Sequence, residues 1–399
     1  MSHASGFDLG FSSGFGGPPS RARLRDVQMH AIIFSPDANG GPGVPKFELD
    51  AEILNLIWQQ NFNAPGRAAF ALPRFNPKLA DIDFMVDHIQ IVREDSRASK
   101  VVFAGKVVKP QLSGSDCLVY CWDYLAFLQR SRTGFRTLYP EKKIGTEIIA
   151  PEWAAAKLVS NSPFAFVSTG TVEDPLAADD ATPITTNAEF GVVDFARLFT
   201  FYSLAEMAMA NTAHTVKFEI TREAPFTFNF WKDYGGDKTA YAFSHPGNLA
   251  EYNADFGFDE YRNDMASVVS DENGDQEEYV VESADVATTT YRRLQDAVTI
   301  RTLLGATGPT EADQGKAALA RMLAEAVRTP RIVQITPRQG ELTPFDGWDL
   351  GDNFKVDLQS PDRSGDSLSE YLKIATVGAA WNPGHGELLQ WYGRAKEAA

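Results

Sequence analysis

The sequence predicts an α+β, β-rich fold: two small antiparallel β-barrels of the tube type, with mixed α/β domains between them. Three observations carry that prediction. Residues 101–132, VVFAGKVVKPQLSGSDCLVYCWDYLAFLQRSR, read as a strand from Val101 to Lys109, a turn through Leu112-Ser113-Gly114-Ser115-Asp116, and a return strand from Cys117 to Cys121. Alternating β-branched residues bounded by Gly and Ser make such a hairpin. Upstream, short apolar runs recur at strand length with turn chemistry between them, and the same texture returns after Thr329-Pro330.

In that hairpin Lys109-Pro110 is expected to break the first strand, because proline cannot donate to a ladder. From Asp123 the period changes. Leu125, Ala126, Phe127 and Leu128 bunch as on the buried side of a short helix, with Arg130 and Arg132 in its last turn, where cations meet the negative end of the helix dipole.

Taken in order, residues 1–25 (MSHASGFDLGFSSGFGGPPSRARLR) form a flexible N-terminal arm, rich in Gly and Ser. Its Phe7, Leu9, Phe11 and Phe15 could dock into a neighbour's groove, or the arm could stay a disordered tail. Residues 26–121 make the first β-barrel from six runs: VQMHAIIF, LDAEILNLIWQQNF, RAAFALP, HIQIVRE, VVFAGKVV and CLVYC. Turns fall at Asp37-Ala38-Asn39-Gly40-Gly41-Pro42-Gly43, Asn63-Ala64-Pro65-Gly66 and Asn76-Pro77. Closing such a sheet removes its exposed edges.

Residues 122–212 read as a mixed helical domain. PEWAAAKLVSN has Pro151 at a helix entrance. A Ser/Thr/Asp/Pro/Ala-rich loop runs from Ser168 to Asn187, and VVDFARLFTFYSLAEMAMANTA reads as one long buried helix in which Met207 and Met209 pack. Residues 213–308 are a strand-rich domain: HTVKFEITR, PFTFNFW, KTAYAFS, NLAEYNADF, NDMASVVS and QEEYVVES. Residues 309–399 hold an amphipathic helix from Thr310 to Arg328, with Leu319, Met322, Leu323, Ala326 and Val327 on one face. The second, smaller barrel follows: RIVQITPR, WDLGDNFKVDLQS, SEYLKIATVGAAW and GELLQWYG. Within it Trp348-Asp349-Leu350-Gly351-Asp352 is expected to be a turn with a folding role.

At 399 residues the chain should hold two to four domains. No apolar run is long enough to span a bilayer, and Arg21, Arg23 and Arg25 precede no apolar core, so stable membrane insertion and a signal peptide are not expected. Cys117 and Cys121 read as buried free thiols of a protein made in a reducing cytoplasm. The net charge of −16, from 37 basic and 53 acidic residues, argues against gripping nucleic acid, since phosphate binding rests on clustered Lys and Arg. Such a surface would let DNA pass without sticking.

The motifs that suggest chemistry fail on context. Gly10-Phe11-Ser12-Ser13-Gly14 matches the serine-hydrolase pattern but lacks the strand and helix that would strain the turn. The six histidines (His3, His30, His88, His214, His245, His385) show no metal-ligand spacing. Asp271, Asn273, Asp275, Glu277 and Glu282 have the spacing of a calcium loop, but Gln276 stands where the glycine belongs and strand-like residues flank it, so an acidic hairpin tip fits better. Lys316 is followed by Ala317 where a phosphate loop needs Ser or Thr. Asp255, Asp259, Glu260 and Asp264 cluster among aromatics, as in a glycosidase cleft or a sugar-binding surface. No catalytic, cofactor-binding or metal residue is assigned.

The order of motifs resembles the baseplate hub and tail-associated proteins of tailed bacteriophages, most nearly the minor tail proteins of long non-contractile phages. The passages that carry the resemblance are GKVVKPQLSGSDCLVYCWDYLAFLQR, then FTFNFWKDYGGDKTAYAFSHPGNLAEY with the NDMASVVSDENGD hairpin, then the long helix, the proline and WDLGDNFKVDL. They cover most of the chain after residue 26. The resemblance implies a structural virion protein and not an enzyme: a homotrimeric hub at the tail tip, assembled in the host cytoplasm, closing or extending the tail tube. Its implied partners are the distal tail or tube protein, the tape-measure protein and other minor tail proteins, with DNA only in transit through the lumen. The alternatives are a host-glycan-binding or cell-wall-degrading tail-tip protein.

Overall fold

The computed structural model describes residues 26–129, 138–139, 166–173, 193–194, 216–231, 234–245, 247–255, 264–270, 276–282, 295–298, 320, 323, 331–338, 344–359 and 367–395. Its described part is β-rich, and most of its strand pairs are antiparallel. Seven strands open the chain: β1 (Gln28–Pro36), β2 (Pro42–Leu49), β3 (Asn55–Asn61), β4 (Ala64–Pro73), β5 (His88–Glu94), β6 (Ser99–Ser113) and β7 (Asp116–Asp123). The short helix α1 (Leu125–Leu128) follows, as the change of period predicts.

Two details in this segment depart from expectation. The strand through Val101 does not stop at Lys109-Pro110; β6 runs on to Ser113 past a bulge between Val107 and Lys109. Among the described residues, β6 beyond Lys106 pairs with β7 and with no second strand, so Pro110 sits where a missing donor is tolerated. Of the run from Leu49 to Phe62 only Asn55–Asn61 is β3, Leu49 ending β2, and β2 begins within a stretch whose Pro42 and Gly43 read as turn chemistry. Among the described residues it is bonded to β1 alone, at the end of the sheet, a position that tolerates prolines.

The middle of the chain supplies β8 (Leu138–Tyr139), β9 (Ser168–Val172), β10 (Val193–Asp194), β11 (Lys217–Ile220) and β12 (Thr227–Trp231). The predicted loop from Ser168 therefore begins as a strand. It runs parallel to β12, and Asn229 anchors it by accepting the Thr171 N–H at 2.8 Å. Val193 and Asp194, placed at the start of a long helix by sequence, pair instead with β8; the rest of that helix and the one at Pro151 lie outside the described residues. Next come β13 (Asp237–His245), β14 (Leu249–Asp255), β15 (Asp264–Ser270), β16 (Gln276–Glu282) and β17 (Gln295–Val298). The chain ends with β18 (Arg331–Pro337), β19 (Asn353–Gln359), β20 (Ser367–Asn382) and β21 (Gly386–Ala395). Of the amphipathic helix, Ala320 and Leu323 are described; both are helical, Ala320 exposed and Leu323 buried, the sense its apolar face predicts.

Where sequence predicts two separate barrels, β3 and β20 pair antiparallel from Thr376↔Asn61 to Trp381↔Leu56 and join both halves into one 13-stranded sheet. Its main path runs β14-β18-β21-β20-β3-β4-β7-β6-β5-β1-β2, with β19 on β20 and β13 parallel to β19. Among the described residues no ladder closes either half. The N-terminal half curls back through side chains: Trp381 on β20 donates its indole N–H to the Val27 carbonyl at 2.8 Å, just ahead of β1. In the C-terminal half the two outer strands, β13 and β14, follow each other directly in the chain. Strands from the expected 213–308 segment divide among three sheets: β11 and β12 with β9, β15 to β17 together, and β13 and β14 in the large sheet.

One apolar core runs through both halves. Strand alternation builds it, with Met29, Ala31 and Ile33 of β1 and Ile89 and Ile91 of β5 all fully buried.

Candidate functional site

The residues that bind the two halves meet at the β20–β21 hairpin. Asn382, at its bend, donates to the Leu54 carbonyl at 2.8 Å and to Asn55 Oδ1 at 2.7 Å. Glu387 opens β21 and faces Arg93 of β5. Arg93 Nε lies 3.0 Å from both carboxylate oxygens and Nη2 lies 2.8 Å from Oε2, a forked geometry that matches guanidinium to carboxylate. Neither residue is more than 1% exposed, and Asp95 takes the remaining Nη1. Burial pushes the Glu387 carboxyl upward against the pull of Arg93, while Glu387 and Asp95 outweigh burial at Arg93 and hold its charge.

A second polar knot ties β11 to the turn before β19. Lys217 Nζ is 3.0 Å from both Asp349 Oδ2 and Glu219 Oε2, and it lies 4.0 Å from the Tyr234 ring centroid. Tyr234 donates its hydroxyl to the same Asp349 oxygen at 2.7 Å. Burial works against the Asp349 charge, but Lys217, Arg222 and the Tyr234 hydroxyl outweigh it and hold the carboxyl below its usual range. Asp352 accepts the Gly236 N–H at 2.5 Å and the Asp349 N–H at 2.9 Å. Gly351 has φ +95°, and a Cβ there would come within 2.6 Å of the Phe62 ring, so the turn needs glycine. The turn from Trp348 to Asp352 thus has the folding role its sequence suggests.

A third group lies at the end of β7. Asp123 accepts the Ala126 N–H at 3.0 Å, capping α1, and also the Gly66 N–H at the start of β4. Burial raises its carboxyl to about 7 although several backbone N–H groups pull the other way. His88 Nδ1 and the Tyr124 hydroxyl are 2.9 Å apart, which is the geometry of a base beside a hydroxyl. Both are buried against Phe166, and Tyr124 also packs edge-on against Phe226. Burial, helped by Lys106, lowers His88 to about 3, and burial moves Tyr124 upward. The pair is thus held in its uncharged form, packed among aromatic rings. A cavity of about 20 Å³ between Gln60, Asp123, Lys217 and Arg222 has room for roughly one water and for no substrate.

Among the described residues, those flagged in the sequence form no single cluster. Asp255 ends β14 in the large sheet, opposite Arg331. Asp264 begins β15, is 2% exposed and pairs with Glu282 in a separate sheet. Asp259 and Glu260 lie outside the described residues, as do Asp271, Asn273, Asp275, Lys316 and Gly10 to Gly14. Glu277 and Glu282 belong to β16, which pairs with β15 from Ser270↔Gln276 onward, the hairpin geometry and not a helix-flanked loop. Among the described residues no group of three or more His, Cys, Asp or Glu side chains is placed to hold a metal ion. Cys117 and Cys121 are free and buried. Arg93, Glu387 and Lys217 escaped the sequence reading, because partners 294 and 132 positions apart leave no local signal.

No family model matches the sequence, and no curated protein does. Among solved structures, the chain is similar to the tail protein from Neisseria meningitidis, with TM-score 0.54 and 12% identity over 93% of this chain and 97% of that one. It is similar to the 43 kDa tail protein of prophage MuSo2 from Shewanella oneidensis, with TM-score 0.54 and 11% identity over 92% and 98% of the two chains. The resemblance to phage tail proteins read from the sequence is thus a likeness of fold along nearly the whole chain. No described helix is long and apolar enough to cross a membrane.

Proposed function

We propose that the chain is a structural subunit of a phage tail, a homotrimeric hub at the tail tip that closes or extends the tube and docks other tail-tip proteins. The observation that carries this reading is the fold shared with two tail proteins from end to end, with almost no part of either chain left over. The two halves of the large sheet supply two curled faces per subunit. Three copies would set six such faces around a lumen, in keeping with sixfold tube symmetry. The net charge of −16 suits a lumen that DNA crosses without binding. In this reading residues 26–121 and 309–399 supply the two tube-type units, with strands borrowed from 213–308, and residues 1–25 serve as an assembly arm. The partners are the tube or distal tail protein, the tape-measure protein and other minor tail proteins, met after synthesis in the host cytoplasm.

A wall-degrading reading needs paired carboxylates in one cleft. Hydrolysis of cell-wall material by the purified chain, lost on Asp259→Asn, would favour that reading.

Light scattering on the purified chain, with negative-stain images of the same sample, tests the proposal. The expected result is a mass three times 43.8 kDa and rings with an open centre. A monomer that also fails to form rings with its tube protein would overturn it.

A further inference from the structure

The β6–β7 hairpin ends clear of the body of the protein. A strand with one face on a core alternates buried and exposed residues. Every residue of β6 from Lys109 to Ser113 is exposed, and a Cβ on Gly114 at the turn would meet nothing within 4 Å. The end of β4 lies beside this tip: Pro73 pairs with Asp116, and Arg74 donates its backbone N–H to the Ser115 carbonyl at 2.8 Å. Two large apolar side chains are left in water there, Phe75 at 89% exposure and Leu112 at 59%. Two cations accompany them. The Arg74 guanidinium stands 5.7 Å from the Phe75 ring centroid, and Lys109 Nζ stands 5.1 Å from that of Tyr120. Among the described residues neither cation has a carboxylate partner, in a chain whose net charge is −16. Asp116, the acid at the tip, accepts instead from the Ser115 hydroxyl at 2.8 Å.

We propose that this hairpin end is a contact between copies of the chain, in which Arg74, Phe75, Lys109 and Leu112 of one copy seat on the acidic terminal strand β16 of the next. The contact rests on the tail-hub reading and supplies the surface that assembles it. Exposed apolar side chains flanked by unpaired cations call for a partner surface that is both apolar and acidic. Among the described residues β16 ends its three-stranded sheet. Its sequence, Gln276-Glu277-Glu278-Tyr279-Val280-Val281-Glu282, carries three carboxylates, and Val280 is 51% exposed. Two different patches that meet head to tail form the kind of interface that closes a ring. Aromatic and arginine side chains carry much of an interface's affinity once water is excluded from them. In the lone chain Phe75 and Arg74 are exposed and have that capacity unused.

Light scattering on variants beside the wild type, at equal concentration, reads the contact. Phe75→Asp/Leu112→Asp should fall from three times 43.8 kDa to 43.8 kDa, with an unchanged far-UV circular dichroism spectrum because both side chains are exposed. Arg74→Glu/Lys109→Glu should dissociate in the same way, by repulsion from the carboxylates of the next copy, and it carries the test if the first variant does not fold. Adding Glu277→Lys and Glu278→Lys to the charge-reversed chain should restore the trimer. A folded double variant that stays a trimer overturns the proposal and leaves the hub reading standing. A charge-reversed chain that the two lysines do not rescue overturns β16 as the seat. A wild-type chain that forms neither trimer nor ring removes the hub reading and this contact with it.

Discussion

The two halves of the large sheet are assembled differently. The N-terminal half, β1 to β7, is antiparallel throughout and drawn from one unbroken stretch of chain. Its core is largely aliphatic: Ile33, Ile89, Ile91, Val102, Val107 and Val119 are fully buried. The C-terminal half draws strands from residues 237–255 and 331–395 and contains a parallel pair, β13 with β19. Its core sets a cluster of aromatic rings among aliphatic residues such as Leu249, Val356, Leu372, Ile374 and Leu389. Phe243 meets Phe354 edge-on at 5.5 Å and Trp391 at 5.7 Å, and Trp348 and Tyr241 close around them. Strands that lie far apart in sequence have no hairpin to set their register. Large rings with angular preferences supply a substitute, because they fit in few arrangements. The second half thus adds aromatic contacts to the local turns, such as the β20–β21 hairpin, that both halves use.

The comparison breaks first at the join. Arg93→Leu leaves Glu387 buried without its cation, and removing one partner of such a pair costs about 3–5 kcal/mol. Chemical denaturation should show that loss as a lowered midpoint. If the sheet is one cooperative unit, tryptophan fluorescence and far-UV circular dichroism will still move together. The double variant Arg93→Leu/Glu387→Leu should recover most of the stability, since both charges are then gone. A double variant no better than the single one would show that the pair does more than neutralise itself.

Asp123 offers the next largest effect, confined to the N-terminal half. Its folded-state value of about 7 stands above the ordinary carboxylate value of 3.8. The unfolded chain therefore loses its proton first as the pH rises. The contribution of this group is full below about pH 4 and is lost as the pH rises to about 7, a change on the order of 4 kcal/mol. Asp123→Asn keeps an oxygen for the Ala126 or Gly66 N–H and cannot ionise. Urea midpoints measured across that interval should show the variant gaining on the wild type as the pH rises. Parallel profiles would mean that the carboxyl stays ionised in the folded state.

How much of this was legible in the sequence follows the same division. The apolar runs located nearly every described strand in both halves, because period-2 alternation survives wherever one face is buried. β2 was missed, since Pro42 and Pro45 speak for a turn until the strand is known to be terminal. β9 was missed because Thr169, Gly170 and Thr171 carry no apolar pattern; its place is fixed by Asn229, 58 positions away. The joining of the halves was not legible at all. It rests on β3 meeting β20 and on Arg93 meeting Glu387, contacts that no local pattern encodes. The cluster of acids suggested a cleft only by closeness in sequence, and Asp255 and Asp264 belong to different sheets.

The smallest effect tests the C-terminal side of the comparison. Asp349 is held below its usual range, so its sign is opposite to that of Asp123: its contribution is present above the unfolded carboxylate value and is lost as the pH falls through the folded one. Tyr234→Phe removes one donor to this carboxylate and leaves the Lys217 pair in place, with the ring still available to the lysine. A hydrogen bond to a charged group contributes about 1.5–3 kcal/mol, and because Asp349 is 26% exposed, water can replace the lost donor and hold the cost to about 1 kcal/mol. The measurable signature is the pH profile. Relative to the wild type, Tyr234→Phe should lose stability at neutral pH and approach it in acid, where the carboxylate is protonated in both. A loss that is the same at every pH would instead assign the tyrosine's contribution to its packing against Trp231, 4.8 Å away between ring centroids.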